Sequence, residues 1–141
     1  MRISRRLHLI PMAALVLAAG CSDLGVETGA GSVTGLTIQD SGGNTLVTVG
    51  SGVTGSLTVP RNGTRSLRIT LTGPGGVVTP GIAESIRVSV TNSVVASWTE
   101  TGEGTGTLRG GASAGQTSLR VDLISAGSAD YTSPAIPVQV S

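Results

Sequence analysis

Few side chains in this sequence can do covalent chemistry. Cys21 is the only cysteine, His8 the only histidine, and all nine basic residues are arginines, so lysine is absent. Thiol and imidazole both fall within the first 21 residues. Beyond them the candidates are carboxylates, one indole and one phenol. Glu100 and Glu103 flank Thr101-Gly102 just after Trp98. Two acids beside an aromatic are the parts of glycoside chemistry or sugar binding, an acid/base pair with a stacking platform. They lie in a Gly-rich stretch with no partner to orient a base, and a solvated loop accounts for them equally. Asp40-Ser41-Gly42-Gly43-Asn44 sets oxygens around glycines as a calcium loop does, but the bidentate Glu that completes such a loop is missing. A hairpin turn is the simpler reading. Arg120 and Asp122 form a candidate surface pair on one polar face. Arg68 and Arg87 point to polar faces, where they either line a binding surface or are merely solvated. Trp98 and Tyr131 are the two possible ligand-contacting rings. Tyr131 precedes the last apolar run and is expected to be partly buried over one end of the fold.

The elements that must position these residues repeat with period two. Leu36 and Ile38 alternate with Thr37 and Gln39. Leu67, Ile69 and Leu71 alternate with Arg68, Thr70 and Thr72. The pattern recurs at Ile86, Val88 and Val90, at Leu119, Val121 and Leu123, and at Ile136, Val138 and Val140. One apolar and one polar face is the signature of antiparallel strands on a common core. Weaker candidates are 45–49, 56–60, 94–99 and 106–109. Parity in the third of these places Val94, Ala96 and Trp98 inward. Ser41-Gly42-Gly43-Asn44, Arg61-Asn62-Gly63-Thr64 and Gly73-Pro74-Gly75-Gly76 punctuate the strands as tight turns. Pro134 and Pro137 flank the last strand and suggest an edge position at its start. The expectation is an all-β fold, one β-sandwich of seven to nine short antiparallel strands over residues 33–141. Phe is absent, so Leu, Ile, Val and Ala fill the core and Trp98 is its one large side chain.

The N-terminus reads as an address. Arg2, Arg5 and Arg6 precede an apolar run over 9–20, broken by Pro11 and closed by Ala18-Ala19-Gly20-Cys21. Charge, apolar run and small-residue site follow the order of a secretory signal peptide. About a dozen residues are too few for a spanning helix, which needs roughly 20. The segment around Cys21 resembles the lipobox of bacterial lipoproteins, with Leu17 one place earlier than that family's usual leucine. The resemblance implies cleavage between Gly20 and Cys21, a lipid on the Cys21 thiol and an acylated new amino terminus. A plain secreted protein with a leftover thiol is the alternative. Ser22 after the cysteine, by the sorting rule of enteric lipoproteins, implies the outer membrane, on its periplasmic or surface face. Ser4-Arg5-Arg6-Leu7-His8-Leu9 partly resembles a twin-arginine signal, though ordinary n-region charge suffices. Residues 21–32 then form the lipidated cysteine and a flexible tether, reaching at most roughly 35–40 Å if extended.

Removing residues 1–20 also removes His8 and three arginines. Six arginines against eight acids leave the remainder slightly negative. No basic stripe faces phosphates and only Trp98 and Tyr131 could stack on bases, so nucleic-acid binding lacks both of its energetic terms. Without histidine, lysine or a free thiol, the commonest general bases, amine and thiol nucleophiles and zinc ligands are missing, and no cofactor is implied.

The turns and strands carry a second resemblance. Asn62-Gly63-Thr64-Arg65-Ser66-Leu67-Arg68-Ile69-Thr70-Leu71-Thr72, Val90-Thr91-Asn92-Ser93-Val94-Val95-Ala96 and the run from Gly106 through Gly110-Gly111-Ala112-Ser113-Ala114-Gly115 to Leu119 resemble successive motifs of bacterial immunoglobulin-like domains, group 2. Coverage is roughly 57–140, with the 45–49 strand as an addition. The resemblance implies an immunoglobulin-like sandwich, a type common in surface and adhesion proteins. The expected function is a non-enzymatic, lipid-anchored envelope module with structural or protein-interaction roles, its partner an envelope or extracellular protein or glycan. The alternative is a carbohydrate-binding sandwich using Trp98 and Tyr131.

Overall fold

The structure is a computed structural model that describes residues 32–141. The expectations for Gly20, Cys21, the signal segment and the tether up to residue 31 lie outside the described residues. The chain folds as two packed sheets with no helix among the described residues.

The first sheet takes β1 (Gly35–Asp40), β2 (Thr45–Val49), β3 (Val53–Gly55), β5 (Thr64–Gly73), β6 (Gly76–Val78), β8 (Ala96–Gly102) and β9 (Thr105–Gly110). Its order is β3-β2-β1-β5-β9-β8, with β6 folded back on the end of β5. The second sheet takes β4 (Leu57–Val59), β7 (Glu84–Val90), β10 (Gly115–Ser125), β11 (Ser128–Thr132) and β12 (Ile136–Val140). The neighbours β1-β5-β9-β8 on one sheet and β7-β10-β12 on the other reproduce the ABED and CFG orders of an immunoglobulin constant-type sandwich. The β2–β3 hairpin is an insertion between β1, on the first sheet, and β4, on the second.

The alternating residues meet between the sheets. Leu36, Ile38, Leu67, Ile69, Leu71, Leu119, Val121, Leu123, Ile136, Val138 and Val140 are all buried, joined by Val47, Val49, Leu57, Val59, Ile86, Ala96 and Leu108. Their complements face outward. Thr54, Thr48, Thr37 and Thr70 lie in one row across β3, β2, β1 and β5. β-branched side chains suit such a pleated surface.

Four expectations need correction. The strands number twelve among the described residues rather than seven to nine. β3, β4 and β6 are three residues each, too short to show a period, and the final run is cut into β11 and β12. The pairing is not wholly antiparallel, because β4 runs parallel to β12. β12 is interior, between β10 and β4. Only its first residues, Ile136 and Pro137, pair with β10 alone, since the β4 ladder begins at Val138, so a missing N–H is tolerated there. Val94 does not join Ala96 and Trp98 inside. It is 80% exposed in the turn before β8, where its N–H donates to the Asn92 side-chain oxygen at 3.1 Å. Strand parity does not extend into a turn.

The cut in the final strand has a local cause. β11 and β12 lie on the same side of β10, registered at Asp122↔Thr132 and Leu119↔Ile136. Three residues, Ser133, Pro134 and Ala135, face two on β10, which makes a bulge. Ser133 repairs it. Its N–H donates to the Val121 carbonyl at 2.8 Å, and its hydroxyl accepts the Val121 N–H at 2.9 Å while donating to the Pro134 carbonyl. Ser133 is the one buried polar side chain among the described residues, 2% exposed.

Candidate functional site

The largest concavity described is a groove of about 300 Å³ on the outer side of the first sheet. Register builds its floor. Gln39 on β1 lies opposite Arg68 on β5, and Arg68 opposite Thr105 on β9. The β1–β2 turn, with Asp40, Ser41 and Gly43, forms one wall, and Thr101 of β8 another, with Ser66 beside Arg68.

The turn is a hairpin connection organised by one carboxylate. Asp40 Oδ1 accepts the N–H groups of Gly42 at 2.9 Å and Asn44 at 3.0 Å, and the Asn44 amide donates to both carboxylate oxygens at 3.1–3.2 Å. Gly43 takes a φ of 83°, which a side chain would strain. The Asn44 side-chain bond, helped by the backbone N–H groups of Asn44 and Gly42 and by the charge of Arg65, holds the Asp40 carboxyl below its usual 3.8. Its oxygens are committed to the turn. Arg68 is exposed and makes no hydrogen bond among the described residues, so it is the groove's available charge. A guanidinium with hydroxyls and an amide around it can hydrogen-bond a polar ligand. It offers no nucleophile paired with a base.

The other candidates disperse. Trp98 faces inward from β8, packs against the core and remains half-buried. Its ring lies over Gly106, where a Cβ would collide with it. Tyr131, opposite Leu123, also packs against the core, and its hydroxyl is buried without a partner. Burial pushes the phenol above its usual 10. Neither ring presents an outward stacking platform of the kind the carbohydrate alternative needs.

Glu100 and Glu103 are both exposed, and neither lines the groove. Glu103 is not simply solvated, as its loop position suggests. From the β8–β9 turn it reaches across to the second sheet, where its Oε1 accepts the Ile86 N–H of β7 at 2.8 Å. Arg65 does the converse at the opposite flank, its Nη1 donating to the Thr58 carbonyl of β4 at 2.9 Å. Each charged side chain occupies a backbone group on an edge strand, a position that otherwise invites pairing with another chain. Sequence reading passed over Arg65. Its parity with Leu67 and Ile69 was the available signal, since a charge on an inward register needs a partner.

On the outer side of the second sheet, Asp122 lies opposite Arg87 and Thr132, while Arg120 faces Ser89. The directly opposed acid and base are thus Asp122 and Arg87, not Asp122 and Arg120. Among the described residues no cluster of three His, Cys, Asp or Glu could hold a metal ion, and no helix is long and apolar enough to cross a membrane. Neither protein-family models nor curated protein sequences give a match to this chain.

Proposed function

We propose that this chain is a non-enzymatic, lipid-anchored immunoglobulin-like module of a bacterial cell envelope, held at the outer membrane through Cys21 and serving a structural or protein-interaction role. The observation that carries the reading is the lone cysteine closing an arginine-led apolar segment of signal-peptide length, ahead of an all-β body. More than one acyl chain on Cys21 would meet the requirement for stable anchoring. The body supplies what a contact module needs: a rigid sandwich, loops at both ends and sheet edges open to added strands. Its acids support the non-enzymatic part, because Asp40 and Glu103 spend their oxygens on backbone N–H groups.

Intact-mass spectrometry of the protein extracted from its native envelope tests the anchor. The expected result is a chain beginning at Cys21 with the mass of a diacylglyceryl group and an amide-linked acyl chain. An unmodified thiol or a retained leader would overturn it. Cross-linking in intact cells tests the interaction role, with a specific envelope protein as the expected product.

A further inference from the structure

The two ends of the sandwich differ in charge, and the chain enters at the uncharged one. Thr34 donates its N–H to the Thr72 carbonyl, and Ser32 sits against Gly73, so the entry lies where β5 ends. The β2–β3 turn is at this end too, because Val49 and Val53 pair level with Leu36. Gly104 touches both Ile69 and Ile86, which sets Ile86 level with Ile69 and brings the turn before Glu84 to the same end. The β10–β11 turn follows, since Ser125 pairs with Glu84. The connections here are 50–52, 73–83 and 126–127, and none contains a charged residue. They display two of the three large apolar side chains exposed among the described residues, Val77 at 71% and Ile82 at 97%. The far end instead carries Asp40 and Arg61 in its turns, together with the third, Val94.

We propose that this entry end is a membrane-contacting surface, with Val77 and Ile82 seated in the interface of the bilayer to which the chain is tethered. The inference rests on the lipid-anchor reading of Cys21. Residue 32 is about eleven residues from Cys21, at most roughly 40 Å of extended chain and about 20 Å on thermal average, so the entry end is the part of the sandwich held nearest the lipid. Charged side chains resist entering that interface and small apolar loops do not, which selects this end over the far one. The occupant is a lipid surface rather than an anionic headgroup site, because the loops bring no arginine to recognise one.

The test uses the full chain from its native membrane, reconstituted in phosphatidylethanolamine/phosphatidylglycerol vesicles with or without brominated acyl chains. Ile82→Trp and Val77→Trp report from the entry end and Val94→Trp from the far end, over the common background of the core-facing Trp98. Bromolipid should quench the Ile82→Trp and Val77→Trp emission at least about twofold more than that of Val94→Trp. Intact mass of the same samples reads the state of Cys21. Equal quenching on an acylated chain overturns the membrane contact and leaves the anchor standing. An unmodified Cys21 with selective quenching at 82 and 77 overturns the anchor and keeps the surface. An unmodified Cys21 without selective quenching overturns both.

Discussion

The two sheets solve the same problem differently. The first is a run of regular antiparallel ladders, β3-β2-β1-β5-β9-β8, interrupted only by small register shifts. The second is shorter and is held together at its seams by side chains. Ser133 fills the break between β11 and β12, Glu103 takes an N–H from the β7 edge, and Arg65 takes a carbonyl from the β4 edge. Two of these three residues belong to the first sheet. Periodicity can build a sheet, but its ends and breaks are closed by contacts from elsewhere in the chain.

The largest effects should come from the regular sheet, where packing carries the stability. Trp98→Ala removes the one large core side chain and should cost about 2–4 kcal/mol, below the fully buried range because the ring is only half-buried. Gly106→Ala should cost a comparable amount, since its methyl enters the space of the Trp98 ring. Val94→Ala, in the turn just before, should leave the melting temperature unchanged. Urea unfolding of the three variants measures this, and equal losses would remove the distinction between β8 and its preceding turn.

Next come the seams. Ser133→Ala leaves the Val121 N–H buried without its side-chain acceptor and should cost about 1–3 kcal/mol. Glu103→Ala should cost about 1 kcal/mol, as its carboxylate is exposed to solvent. Its sharper signature is faster amide exchange at Ile86 with little change in β10. Uniform acceleration across the second sheet would mean that Glu103 supports the whole sheet rather than its edge.

The smallest effects separate the two titrating groups. Tyr131 has a raised pKa, so its contribution is intact below about pH 10 and is lost as pH rises through the folded value. Tyr131→Phe should remove that alkaline loss and, by deleting an unpaired buried hydroxyl, leave neutral stability unchanged or slightly higher. A clear loss at neutral pH would show that the hydroxyl has a partner in solution. Asp40 has a lowered pKa, so its contribution is present above pH 3.8 and fades as pH falls through the folded value. Asp40→Asn should flatten the acid limb of the stability profile slightly, measured by melting between pH 2 and pH 6.

The sequence by itself determined the fold class and most of the core. Alternation at 36–38, 67–71, 119–123 and 136–140 fixes which side chains are inward, because a strand's period is two whatever it pairs with. The β1–β2 turn was legible for a similar reason, since an Asx turn is made by residues two to four apart. Only the tertiary structure decided what depends on distant partners. The parallel β4–β12 pair, the exchange of Asp122's partner from Arg120 to Arg87, the roles of Glu103 and Arg65, and the gathering of uncharged loops at the entry end all join residues far apart in the chain. Local pattern sets which way a residue faces, whereas strand order and register set what it meets.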